Sequence, residues 1–191
     1  MRYRVSLLFV FLASLLLLPL APARAGEVTE QLKLDVSRMF DTVQGGRRDR
    51  RVSDEGRALL AQMFDWDEMG QRALGRYWRE RTEDEREQFL RLFRGLVEAQ
   101  IVGLGRVNAT DIQYVAESVQ ADTAAVDTRV PSGPGREMQL EYRLQRRDGR
   151  WLVYDVLVNH LSLLNHYRAQ FQQIIKVASY SGLIEKLSGP R

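Results

Sequence analysis

The sequence has no cysteine. That excludes thiol catalysis, every cysteine-based metal site and any disulfide framework. Histidine is nearly as scarce, with His160 and His166 the two in 191 residues. Two histidines six apart with one acid make a poor metal set. A long hydrophobic run is missing too. The longest, Val5 to Leu18, has 14 nearly unbroken apolar residues, whereas a bilayer-spanning helix needs about 20.

That short run has another reading. Arg2 and Arg4 precede it, Pro19 and Pro22 break it, and Ala23-Arg24-Ala25 follows with small-x-small spacing. A positive start, an apolar stretch and such a site make a cleavable secretory signal. The expected organisation is a signal peptide over 1–25 and a single domain over 26–191. No cysteine follows the cleavage point, so a lipid-anchored lipoprotein is excluded and a soluble mature protein is expected.

An excess of one charge is missing as well. The full chain has 28 Lys+Arg against 25 Asp+Glu, but Arg2, Arg4 and Arg24 leave with the signal and no acid does. The remaining domain is formally neutral. A basic balance would have pointed to nucleic acid or an anionic membrane surface, and neutrality removes that support. Arg47, Arg48, Arg50 and Arg51 form a local basic run after Gly45-Gly46, read as a solvated loop between helices.

The first half, 27–106, is helical in pattern. Val28, Leu32, Val36, Met39 and Phe40 recur near helical spacing. Ser53 caps a helix with Ala58, Leu59, Leu60 and Met63. Asp65 with Glu68, and Thr82 with Glu85, have capping-box spacing. Gly75 is a stop. The longest helix, about Glu83 to Leu104, sets Phe89, Phe93, Leu96, Val97 and Gln100 on one face. Leu92, Ile101 and Leu104 widen that face, and Gly103 and Gly105 end it.

From Thr110 to Val158 the period becomes two. Ile112, Tyr114 and Ala116 alternate with outward residues, as do Val126, Thr128 and Val130. Pro131 to Gly135 reads as a loop. Asp148-Gly149 is a two-residue hairpin signal. Pairing Arg147 with Arg150 puts 144 opposite 153, 142 opposite 155 and 140 opposite 157. Cross-strand partners share a face. One face then holds Leu140, Tyr142, Leu144, Trp151, Val153, Leu157 and the single acid Asp155, read as hydrogen-bonded to Tyr142. A helix from Leu161 to about Val177 follows, then a short one around Leu183 to Leu187.

The fold class is α+β. N-terminal helices pack on a curved antiparallel sheet of about four strands, of NTF2-like form, with C-terminal helices over 161–188. Such a sheet can enclose an apolar pocket.

Three blocks carry a family resemblance. The first is Phe64-Asp65-Trp66 through Leu74-Gly75-Arg76-Tyr77-Trp78, before the long helix. The second is Trp151-Leu152-Val153-Tyr154-Asp155-Val156, then Leu161-Ser162-Leu163 and Tyr167-Arg168-Ala169-Gln170-Phe171. The third is Ser181-Gly182-Leu183-Ile184-Glu185-Lys186-Leu187. In order and spacing the chain resembles the periplasmic phospholipid-binding proteins of the MlaC type, also described as toluene-tolerance auxiliary proteins. Where that family places an acid and a glycine before the last helix, Asn159 and His160 stand here. Both tolerate positive φ better than most residues.

The resemblance implies a monomeric lipid carrier, without catalytic group, cofactor or metal. It would exchange phospholipid between an inner-membrane ABC transporter bearing an MCE-domain subunit and an outer-membrane lipoprotein complex. A close relative is linked to hopanoids. The candidate lining residues are Leu74, Phe93 and Leu164 from helices and Val126, Thr128, Met138, Leu140, Tyr142, Leu144, Val153 and Leu157 from the sheet. The alternative for each is a place in a solid core.

Two other functions have candidate residues in the sequence, a small-cavity enzyme and a protein-interaction module. Asp155, His160, Ser162 and His166 lie close in sequence, and Ser162 and His166 are one helical turn apart. No nucleophile elbow surrounds Ser162. Arg76, Tyr77, Trp78 and Arg79 are the candidate contacts of a pure interaction module.

Overall fold

The structure, a computed structural model, describes residues 26–45, 53–103 and 108–189. The signal segment 1–25, the arginine run at 47–51 and the expected helix end at Leu104 and Gly105 lie outside the described residues.

Helix α1 spans Glu27–Gly45 and α2 spans Asp54–Met63. The Ser53 side chain caps α2 by accepting from the Gly56 N–H at 3.0 Å. Helix α3, Trp66–Leu74, is capped by Asp65, which accepts from the Glu68 N–H at 3.0 Å. Glu68 does not reach back to complete a box; it pairs with Arg72 at 2.7 Å. The Asp65 N–H goes instead to the Val153 carbonyl at 2.9 Å. Gly75 ends α3 with φ 59°, a backbone state open to glycine. A short 3-10 turn, Gly75–Glu80, leads to α4, Glu83–Gly103. The Thr82–Glu85 box is complete there, with reciprocal bonds of 2.9 and 3.3 Å.

Five strands follow in a simple antiparallel meander, β1 to β5 in order. They are β1 Gln113–Gln120, β2 Thr123–Gly133, β3 Arg136–Arg147, β4 Arg150–Val158 and β5 Leu161–Ser162. The last helix, α5, is Leu163–Ser188. Its first two expected residues pair instead with Val158 and Leu157, making the fifth strand. Asn159 and His160 both take positive φ, 48° and 68°, in the turn between β4 and β5. The Asn159 side-chain carbonyl also accepts from the Gln139 N–H at 3.0 Å. Ser179, at φ 65°, kinks α5 and separates the two expected terminal helices.

The predicted hairpin turn forms, with Arg147 opposite Arg150 and Leu144 opposite Val153. Beyond that the expected register fails. A bulge places Asp155 opposite Arg143, Val156 opposite Tyr142 and Val158 opposite Leu140. One extra residue in one strand moves everything after it to a new partner. Val156 and Val158 therefore share a face with Tyr142 and Leu140, while Leu157 pairs with Glu141 and Ser162.

A second bulge, in β1 between Tyr114 and Ala116, corrects the alternation expected there. Ala116 is exposed. Glu117 turns to the α1 start and accepts from the Thr29 N–H and hydroxyl at 2.7 and 2.6 Å. A carboxylate at a helix N-terminus satisfies orphan donors and suits the dipole. The expected loop at Pro131–Gly135 is shorter, because β2 continues to Gly133. Pro131 is tolerated since β1 pairs no further than Arg129, leaving that side of β2 without a partner.

The free edge of β4 is covered. The Gln31 side chain bonds both the carbonyl and the N–H of Trp151, at 2.7 and 3.1 Å. Phe64 bridges to Val153. Beneath, α4 and α5 meet through Phe89, Phe93, Tyr167 and Phe171, with ring centroids 5.5 to 5.9 Å apart. Edge and offset ring contacts of this kind add to the area they bury.

Candidate functional site

Between the helices and the sheet lies a cavity of about 510 Å³, a volume typical of small-molecule sites. All five helices contribute to its wall. Met39 and Phe40 come from α1, Met63 from the end of α2, Met69 from α3, and Leu96, Val97, Gln100 and Ile101 from α4. The sheet supplies Val130, Met138, Leu140, Tyr142, Val156 and Val158. Leu163, Leu164, His166, Tyr167 and Gln170 come from α5.

Four of the five methionines in the chain line this one space. Methionine is unbranched and polarizable, and adapts to irregular partners. Among the described residues no lysine or arginine lines the cavity. Its polar side chains are few. Asp155 is buried and committed: it accepts from the Ser162 hydroxyl at 2.6 Å and the Leu164 N–H at 3.2 Å. His166 and Gln170 bond each other at 2.8 Å and are exposed. The Tyr142 and Tyr167 hydroxyls have raised pKa values, each chiefly because burial disfavours phenolate.

The arrangement corrects the pairing expected for Asp155. The bulge carries it away from Tyr142, to the start of α5. Ser162 is the cap of α5, accepting from the Asn165 N–H at 3.0 Å. Its hydroxyl donates to Asp155, and His166 is paired with Gln170, so Ser162 and His166 form no nucleophile–base pair. Among the described residues no group of three or more His, Asp or Glu is arranged to hold a metal. No described helix is long and apolar enough to cross a membrane.

A family profile for the MlaC protein matches residues 35–189. The chain belongs to the MlaC family. The chain shares its architecture with a phospholipid-binding protein from Ralstonia solanacearum, solved in complex with a phospholipid. That structure superposes on this MlaC-family chain with a TM-score of 0.70 at 24% identity, over 85% of this chain and 95% of the other. Comparison with curated proteins finds no match.

Of the eleven candidate lining residues, the structure brings Met138, Leu140, Tyr142 and Leu164 to the cavity wall. Leu74, Phe93, Val126, Thr128, Leu144, Val153 and Leu157 are buried but stand outside that wall. Phe93 is held in the aromatic cluster, and Thr128 donates its hydroxyl to the Leu140 carbonyl at 3.3 Å. Sequence reasoning missed Met39, Met63 and Met69, and Val130, Val156 and Val158. The concentration of methionine in an aliphatic pattern was the available signal for the first group. The valines of β4 had none, because the bulge decides their side.

The alternative interaction residues divide between packing and surface. Trp78 is half-buried beneath the Arg86 guanidinium, 5.2 Å from its ring, and Arg86 donates to the Trp78 carbonyl at 3.1 Å. Arg76 lies exposed over Tyr77, with a 2.8 Å bond to its hydroxyl.

Proposed function

We propose that this protein is a lipid carrier that holds phospholipid acyl chains in the apolar cavity. The observation that carries this reading is an apolar space of about 510 Å³ between the helices and the sheet. A small folded protein has little reason to keep such a void empty of cargo, since lost contacts around a cavity cost stability.

The energetics suit a carrier. Each buried methylene contributes about 0.8 kcal/mol, so a chain of about 15 contributes roughly 12 kcal/mol relative to water. A bilayer offers nearly the same. Transfer between bilayer and cavity is close to neutral, while escape into water is slow. Such a protein needs no catalytic group, and its partners set direction. In the family's setting it acts as a monomer in the periplasm, reached through the cleavable segment 1–25. It exchanges phospholipid with an inner-membrane MCE-domain ABC transporter complex and an outer-membrane lipoprotein complex.

The test is mass spectrometry of an organic extract of purified protein. Co-purified phospholipid is the expected result, and a hopanoid would reassign the cargo. Leu140→Trp, which fills the cavity, should give a folded protein without lipid; a folded variant with a full load overturns the reading. Val153→Trp probes the packed core instead and should lower stability.

A further inference from the structure

Two buried phenols line the cavity without a hydrogen-bond partner among the described residues, Tyr167, held by ring contacts to Phe93 and Phe171, and Tyr142 on the sheet. Tyr142 is only 8% exposed and lines the cavity from β3. Its hydroxyl has no hydrogen-bond partner among the described residues. The sealed, unpartnered side-chain atoms among those residues are the Nε atoms of Arg81 and Arg94. The Tyr142 hydroxyl is not one of them, so it is reached from open space, and Tyr142 is a residue of the cavity wall. A buried hydroxyl without a partner is costly, and phenylalanine would fill the same volume without that penalty.

Burial pushes the phenol pKa up from 10.0. The group therefore stays protonated and can donate at any physiological pH. The titratable neighbour that acts on it is the Tyr114 phenol, which makes no hydrogen bond to it.

The chemistry of the wall selects the acceptor. Phosphate oxygens carry charge, and among the described residues no lysine or arginine lines the cavity to pair with them. A buried unpaired charge is far more costly than a buried neutral dipole. The uncharged acceptor that accompanies an acyl chain is the carbonyl of its ester. Resting on the carrier reading above, we propose that the Tyr142 hydroxyl donates a hydrogen bond to an ester carbonyl of the bound lipid. Tyr142 is then a specificity residue that distinguishes acyl esters from alkyl ethers of the same chain length.

The experiment is competitive loading. Delipidated protein is incubated with vesicles containing equal amounts of a diacyl phosphatidylcholine and its dialkyl ether analogue. Protein-bound lipid is then quantified by mass spectrometry. The wild-type protein should take the ester about fivefold to tenfold over the ether, the ratio that one neutral hydrogen bond supports. Tyr142→Phe, with unchanged far-UV circular dichroism, should load both equally. A wild-type protein that takes both alike overturns the proposal, and so does a Tyr142→Phe variant that keeps the preference. The wild-type ratio stands as a test even where the variant fails to fold. Wild-type protein that loads neither lipid overturns the carrier reading itself.

Discussion

Leu144 and Tyr142 are two residues apart on β3 and face the same side of the sheet, yet their surroundings differ. Leu144 is 1% exposed and packs solidly, opposite Val153. Tyr142 and Leu140 look into open space, opposite Val156 and Val158. The same division runs along α4. Phe89 and Phe93 are locked among the rings of α5, while Leu96, Val97, Gln100 and Ile101, on later turns, line the cavity. The domain thus has a packed end built from aromatic contacts and an open end built from methionine and aliphatic side chains. The bulge in β4 lies where one gives way to the other.

The comparison can be broken by truncation. Phe93→Ala at the packed end should cost about 3–5 kcal/mol, measured by urea denaturation. Leu140→Ala at the open end should cost about 2 kcal/mol, the low end for such a change, because its side chain already borders a void. Equal losses would mean that the two ends are packed alike.

Asp155 anchors the start of α5 to the bulged strand. Asp155→Asn weakens two charge-assisted bonds, to Ser162 and to the Leu164 N–H. The expected loss is about 1.5–3 kcal/mol in thermal or chemical unfolding, with lipid content unchanged. Unchanged stability would remove Asp155 from the joint between the ends.

The smallest effect is alkaline. Burial raises the phenol pKa values of Tyr114 and Tyr180 to about 12, with nearby Glu30 and Glu85 adding to it, and that of Tyr142 also upward. Unfolding returns each to about 10. Above that pH the unfolded chain binds fewer protons than the folded one, so stability is complete below pH 10 and falls as pH rises from there. Urea midpoints between pH 8 and 11.5 should fall less steeply for Tyr142→Phe than for wild type. Parallel slopes would show that the Tyr142 phenol is not held protonated by its burial.

Much of the fold was legible locally. Thr82 and Glu85 form the box their spacing predicts, and Asp148-Gly149 makes the turn with φ of 49° and 79°. Asn159 and His160 take the positive φ that their departure from the family pattern required. The bulges were not legible. An extra residue in a strand leaves no mark when both alternatives are apolar, as with Val156 and Leu157. Asp155 was recognised as a buried acid, but its partner depended on the register. Of the eleven candidate lining residues, Met138, Leu140, Tyr142 and Leu164 lie on the cavity wall, while others such as Val153 and Leu144 belong to the core.

What the sequence determined by itself was the kind and order of elements, their caps and turns, and an apolar sheet face in a domain with no thiol and no charge excess. These follow from local propensity, spacing and composition. The tertiary structure alone decided which apolar residues meet others and which meet a space. Leu140 and Leu144 are chemically identical and share a face. Their difference lies in how far the opposing helices stand from the sheet at each point, a distance that no residue carries in its own type.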